Sequence, residues 1–259
     1  MNSILNRFRT YFQDGTLKDR LIRRAKNAPK QWIEPVFNKH LIRERFRFIF
    51  QIVTLKADLF LKWRMFEPGS YHEEQGSIQS FKNRTIIDGN GNITPWFTYN
   101  LIDFIQQHDI KNLSIFEWGS GNSTRWWADR AKSVISIEHS EEWYQKTIQS
   151  LSSCKNVTLR HIPLELNDAY STALSKDDPC DIIIVDGRKR VECARHAFET
   201  MPREAILILD DSQRNQYDKI FTLAQERGYK CLRFNGPKAL TTHTKQAAIF
   251  YHKENALGI

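Results

Sequence analysis

The chain has 259 residues, 41 % of them hydrophobic and 12 % aromatic, enough to bury a full core, which excludes a disordered chain and a small disulfide scaffold. Its four cysteines, Cys154, Cys180, Cys193 and Cys231, have neither CxxC spacing nor a histidine pair at finger distance, so a zinc knuckle and a disulfide frame are excluded and reduced cytosolic thiols are expected. The net charge of +8 is uneven: residues 1–66 hold 15 Lys and Arg against 5 Asp and Glu, leaving 23 against 25 in the remainder.

The first residues, MNSILNRFRTYFQDG, lack the apolar core and small-residue cleavage site of a secretory signal. No run approaches the roughly 18 uncharged apolar residues of a spanning helix. A cytoplasmic protein is expected, in contact with the inner membrane surface if the basic extension has that role. Residues 17–26 and 41–66 read as helices. In the second, Phe46, Ile49, Phe50, Val53, Ala57, Phe60 and Leu61 recur at three- and four-residue steps, which makes it amphipathic. Its apolar face is expected against the rest of the chain or a second copy in a homo-oligomer, with a lipid surface as the alternative. Its basic side suits an anionic partner, among which nucleic acid is the least expected.

Glu67-Pro68-Gly69-Ser70 marks a boundary, giving an extension over residues 1–66 and a main domain over 67–259. A polar loop follows, with the turn Asp88-Gly89-Asn90-Gly91-Asn92. Thr94 before Pro95 then reads as the cap of a helix reaching Gln107. Beyond it strands alternate with helices. Strands are expected over 114–117, 134–138, 157–163, 181–185, 205–210, 229–234 and 246–252, and helices over 123–130, 141–151, 193–200 and 216–227. This alternation implies an α/β fold with a Rossmann-like, mostly parallel seven-stranded sheet flanked by helices.

Chemistry concentrates at the strand ends. Ile115-Phe116-Glu117-Trp118-Gly119-Ser120-Gly121-Asn122 runs from an apolar strand into a glycine turn and a helix, where backbone can approach a ligand and helix N–H groups are free. The next strand, Val134-Ile135-Ser136-Ile137, ends in Glu138, placed to accept hydrogen bonds from the ribose of an adenosyl cofactor. A P-loop is excluded because no Gly-Lys-Ser/Thr follows the glycines. The third glycine of a nicotinamide site is replaced by Thr124.

Over residues 95–252 this pattern resembles the class I S-adenosylmethionine (SAM)-dependent methyltransferases. Their first motif is acidic-x-G-x-G, matched by Glu117, Gly119 and Gly121, and their second an acid closing strand two, matched by Glu138. The resemblance implies Glu117 near the SAM amino group, Gly119, Ser120, Gly121 and Asn122 beneath the methionyl and ribose portion, Glu138 on the ribose and His139 towards the adenine. It also implies an antiparallel last strand.

Two later strands end in acids, one in Asp186 followed by Gly187-Arg188-Lys189-Arg190, the other in Asp210-Asp211-Ser212. The arrangement resembles the metal-dependent O-methyltransferases of the catechol, caffeoyl-CoA and sugar type. That resemblance implies Asp186, Asp210 and Asp211 as ligands of Mg²⁺ and Lys189 as the base that takes the acceptor proton. The alternatives are a positional role for Asp186 without metal and a helix cap at Asp211 or Ser212. Trp96 and Tyr99 resemble a PW-x-TY stretch in bacterial methyltransferase-like proteins, implying a place in the pocket, with a core aromatic pair as the alternative. Trp126 and Trp127 read as packing residues, and Arg188 with Arg190 would suit an anionic acceptor.

The activity so expected is SAM-dependent methyl transfer to a hydroxyl of a small-molecule or glycan acceptor. A nucleic-acid methyltransferase, a NAD-binding oxidoreductase and a catalytically silent SAM-binding protein are the alternatives. The first of these lacks its N/D-P-P-Y/F motif here.

Overall fold

Residues 67–259, together with Phe60, Arg64 and Met65, are described in a computed structural model. The expected helices over 17–26 and 41–66 fall almost wholly outside the described residues. The chain divides into two units, residues 1–64 and 65–259.

Two short helices, α1 (Tyr71–Glu74) and α2 (Ser77–Asn83), precede α3 (Tyr99–Gln106). Then β1 (Ser114–Trp118), α4 (Asn122–Ala128), β2 (Ser133–Glu138), α5 (Glu141–Ser150) and β3 (Val157–His161) alternate. They are followed by β4 (Ile182–Val185), α6 (Arg190–Thr200), β5 (Ile206–Leu209) and a 3₁₀ turn at Asn215–Tyr217. The chain closes with α7 (Asp218–Glu226), β6 (Lys230–Gly236) and β7 (Lys245–Tyr251). All seven expected strands are present.

The strands form one sheet in the order β3-β2-β1-β4-β5-β7-β6. Every neighbouring pair from β3 to β5 is parallel, while β7 runs antiparallel to both β5 and β6. This is a Rossmann-like α/β fold. Its central strands are buried on both faces, which is why β4 reads Ile-Ile-Ile-Val without polar alternation. Ile183 and Val185 face a core layer with Cys193, Ala194, Ala197 and Phe198 of α6. Ile182 and Ile184 face the opposite layer, with Leu101, Ile102 and Ile105 of α3 and Trp126 and Trp127 of α4. The strand order reverses between β1 and β4, so the crevice beyond their carboxyl ends is where this architecture receives a ligand.

One expected boundary is corrected. The helix read from Pro95 begins four residues later, at Tyr99, with Thr98 as its cap residue. Thr94 is buried, its N–H donating to the Ile86 carbonyl at 3.4 Å, and Thr98 bridges to Lys238 in the β6–β7 loop. Pairing of this segment with distant backbone outweighs the local Thr-Pro start signal.

Candidate active site

The turn after β1 is shaped by a close meeting of backbones. Gly119 has φ +99°, and a Cβ there would stand 2.9 Å from the Gly187 nitrogen. A Cβ on Gly187 would in turn lie 2.0 Å from the Tyr170 hydroxyl, which accepts a hydrogen bond from the Arg188 N–H at 3.2 Å. The tips of β1 and β4 therefore touch with no side chain between them. We expect Gly187→Ala to destabilise the fold by about 1–3 kcal/mol through overpacking. A melting temperature unchanged from wild type would show that Tyr170 yields without cost.

Glu117 lies in the interior beneath this turn. Its side chain is fully buried and accepts hydrogen bonds from Ser123 Oγ at 3.1 Å and Thr124 Oγ1 at 2.9 Å. Thr124 Oγ1 also accepts from the Gly121 N–H at 3.0 Å. Glu117 thus ties the first turn of α4 to the end of β1. Burial pushes its pKa up to about 8 against the pull of the two hydroxyls, with Asp186 and Glu138 adding to the rise.

Glu138 sits across the turn at the tip of β2, 2 % exposed. Its Oε2 accepts from the Ser120 N–H at 3.1 Å and Ser120 Oγ at 2.9 Å, and its Oε1 from the N–H groups of His139 and Ser140, both at 2.9 Å. The His139 ring, partly exposed, places Nδ1 2.9 Å from Glu138 Oε1 and meets Tyr170 edge-on. Asn122 turns aside, its amide donating to the Ile86 carbonyl at 3.3 Å. Trp143 of α5 donates its indole N–H to the Ser120 carbonyl at 2.7 Å and lies over Gly121 with its side chain nearly half exposed. The structure therefore brings Gly119, Ser120, Gly121, Glu138 and His139 together, and adds Trp143.

The carboxylates beyond β4 and β5 also converge, but on cations of the protein. Lys238, 4 % exposed, donates from Nζ to Asp210 Oδ2 at 2.6 Å and to Asp211 Oδ1 at 3.4 Å, 4.8 Å above the Trp96 ring. Arg190 donates to Asp186 Oδ1 at 2.8 Å and to the Asp186 and Asp210 carbonyls, and Arg214 pairs with Asp211. The Asp210 carboxylate neighbours that of Asp186. Burial and that neighbouring carboxylate raise the Asp186 pKa against Arg190 and Lys238. Burial would raise Asp211 as well, yet Lys238, Arg214 and Arg190 hold it below the usual carboxylate range.

The expected ligand set for Mg²⁺ does not fit this arrangement. Among the described residues no group of three or more His, Cys, Asp or Glu side chains is disposed to hold a metal. The physical reason is that ammonium and guanidinium groups already neutralise the three acids. Nor does Asp211 or Ser212 cap a helix: Ser212 Oγ donates to the Gln246 side chain at 3.0 Å, and the next turn begins at Asn215.

Lys189 lies apart from the cluster. It adopts a left-handed conformation, φ +47°, ahead of α6, and its Nζ donates to the carbonyls of Leu164 and Asn167 at 3.2 and 2.9 Å. These two bonds hold Nζ against the 164–167 loop. Trp96 is 45 % exposed and donates to the Ala239 carbonyl at 2.6 Å, beneath Lys238, whereas Tyr99, 1 % exposed, is a core residue edge-on to Tyr71. Trp126 and Trp127 are buried packing residues in edge contact, as expected.

Three residues at the site were not singled out from the sequence: Trp143, Tyr170 and Lys238. Ser140 before Glu141-Glu142 marks the start of α5, but the aromatic three residues on carries no local signal of its own. Nothing local marks Tyr170 or Lys238.

No family model and no curated protein matches this sequence. Solved structures do resemble it in fold. An rRNA methylase from Streptococcus thermophilus is 16 % identical, with 59 % of this chain and 94 % of that chain covered at a TM-score of 0.46. A precorrin-6y C5,15-methyltransferase from Geobacter metallireducens is 14 % identical over 55 % and 82 % of the two chains, TM-score 0.41. The N-methyltransferase NodS from Bradyrhizobium japonicum, in complex with S-adenosylhomocysteine, is 12 % identical over 53 % and 76 %, TM-score 0.41.

Proposed function

We propose that the protein transfers the methyl group of SAM to a hydroxyl of a small-molecule or glycan acceptor, without a metal ion. The observation that carries the reading is Glu138. A buried acid closes β2 opposite the glycine turn of β1, at the point where the strand order reverses. The donor set suits the cofactor, because the Ser120 hydroxyl on Glu138 Oε2 has the same chemistry as a ribose hydroxyl and can give way to one. Trp143 over Gly121 supplies an exposed aromatic surface beside that position.

When bound, SAM supplies an electrophilic methyl on a sulfonium. The protein must align the acceptor oxygen with it and relieve that oxygen of its proton. Asp186, at the tip of β4 beside the glycine turn, is the acid placed for that task. Its raised pKa suits proton uptake near neutrality. Lys238 and Arg190 balance the charge that a divalent cation would otherwise balance.

Calorimetry with S-adenosylhomocysteine tests the reading. Glu138→Ala should weaken binding by about 1–3 kcal/mol, since the ribose loses a charged acceptor. Affinity unchanged in the variant, or a preference for NAD⁺ in the wild type, would remove the cofactor assignment.

A further inference from the structure

Next to Gly187 lies a cavity of about 270 Å³ lined by Arg188, Lys189, Arg190, Arg214 and Glu192 and by Tyr217. Pockets that enclose a whole ligand run to about 300–1,000 Å³, so this one suits a single group of a larger molecule. Four cations and one carboxylate line it. Asp186 and Asp211 answer Arg190 and Arg214. Lys189 is held by carbonyls alone, and the Arg188 guanidinium takes no partner among the described residues. Arg190 lies over the Tyr217 ring, 5.6 Å from its centre, and so is fixed in the wall. The cations come from two separate segments, the start of α6 and the loop after β5, and so approach the cavity from different directions. Donors from two segments can meet the several oxygens of a phosphoryl group, which a carboxylate with two oxygens does not require.

We propose that this cavity is a phosphoryl-binding subsite and that the methyl acceptor carries a phosphate or diphosphate ester. The second half rests on the methyl-transfer reading above. Arg190 connects the two sites, because the guanidinium that lines the cavity also bonds Asp186. A phosphoryl group seated there would hold the acceptor by one end and leave its hydroxyls near Asp186.

The test is calorimetric titration of the full chain with inorganic pyrophosphate, with glucuronate as the carboxylate control, for wild type, Arg188→Glu and Arg188→Gln. Arg188 has an exposed side chain, so both variants should keep the wild-type circular dichroism and S-adenosylhomocysteine affinity. The wild type should bind pyrophosphate and not glucuronate. Arg188→Glu should weaken pyrophosphate about tenfold or more and Arg188→Gln about threefold or more, as expected for a lost charged hydrogen bond. No binding by the wild type, or glucuronate bound as tightly as pyrophosphate, overturns the proposal. So does pyrophosphate binding that both Arg188 variants leave unaltered, which would place the anion on another basic part of the chain. If S-adenosylhomocysteine binds while pyrophosphate does not, only the phosphoryl subsite falls. If pyrophosphate binds through Arg188 while S-adenosylhomocysteine does not, the assignment to a methyl acceptor is overturned.

Discussion

Replacing Lys238 by methionine should cost about 3–5 kcal/mol of folding stability, the loss expected when one partner of a buried ion pair is removed. In a domain of this size that corresponds to a melting temperature lower by roughly 6–20 °C. The cause is electrostatic, since methionine nearly preserves the volume. Asp210, 1 % exposed, would lose its 2.6 Å partner, and Asp210 Oδ1 has no hydrogen-bond donor to compensate. Asp210→Asn in the same chain should restore most of the loss, because a neutral amide no longer needs the ammonium. A loss below about 1 kcal/mol, or no recovery in the double variant, would mean that the pair stabilises nothing. Mn²⁺ titration followed by electron paramagnetic resonance supplies an independent arm. The wild type should show no tight site, and a tight site lost on Asp210→Asn would overturn the metal-independent reading.

The second large effect is pH-dependent and belongs to Glu117. Its folded pKa of about 8 stands above its ordinary value of 4.5, so the folded protein keeps a proton that the unfolded chain releases. That contribution is complete below about pH 4.5 and disappears as pH rises through 8, at about 1.4 kcal/mol per pH unit in between. Glu117→Gln keeps an oxygen for Thr124 and an amide that Ser123 can accept, and carries no proton to lose. Denaturation from pH 5 to 9 should therefore show stability falling in the wild type and falling less steeply in Glu117→Gln, with the variant the more stable above pH 8. The remaining slope is the signature of Asp186, raised in the same direction. Parallel pH profiles for the two proteins would mean that Glu117 is ionised in its buried position.

These residues also mark the limits of reading the sequence. The seven strands are legible because a doubly covered sheet demands apolar runs such as Ile182–Val185, and the crossovers between them leave few topologies. The place of Glu138 is legible because it depends on one local fact, the end of β2. Lys238 is different. It occupies a polar loop 28 positions from Asp210, and only the antiparallel placement of β7 between β5 and β6 brings the two together. An Asp-Asp pair without its lysine reads as a metal site. The position of the Lys189 ammonium is illegible for a related reason, since a left-handed backbone precedes α6 there and Nζ meets carbonyls of the 164–167 loop. The Thr94-Pro95 start signal failed because pairing partners near Ile86 and Lys238 are invisible to a local pattern.

The four donors on Glu138 give cofactor uptake the character of an exchange. An incoming ribose hydroxyl displaces the Ser120 hydroxyl and leaves the three backbone N–H groups in place, so the acid ends with the same number of partners as before. The charged acceptor is kept on both sides of the exchange, so its removal takes from the ribose a hydrogen bond that no other group at the tip of β2 replaces. Around that bond, the backbone of the glycine turn and the exposed face of Trp143 add the surface along which an adenosyl ligand would have to fit.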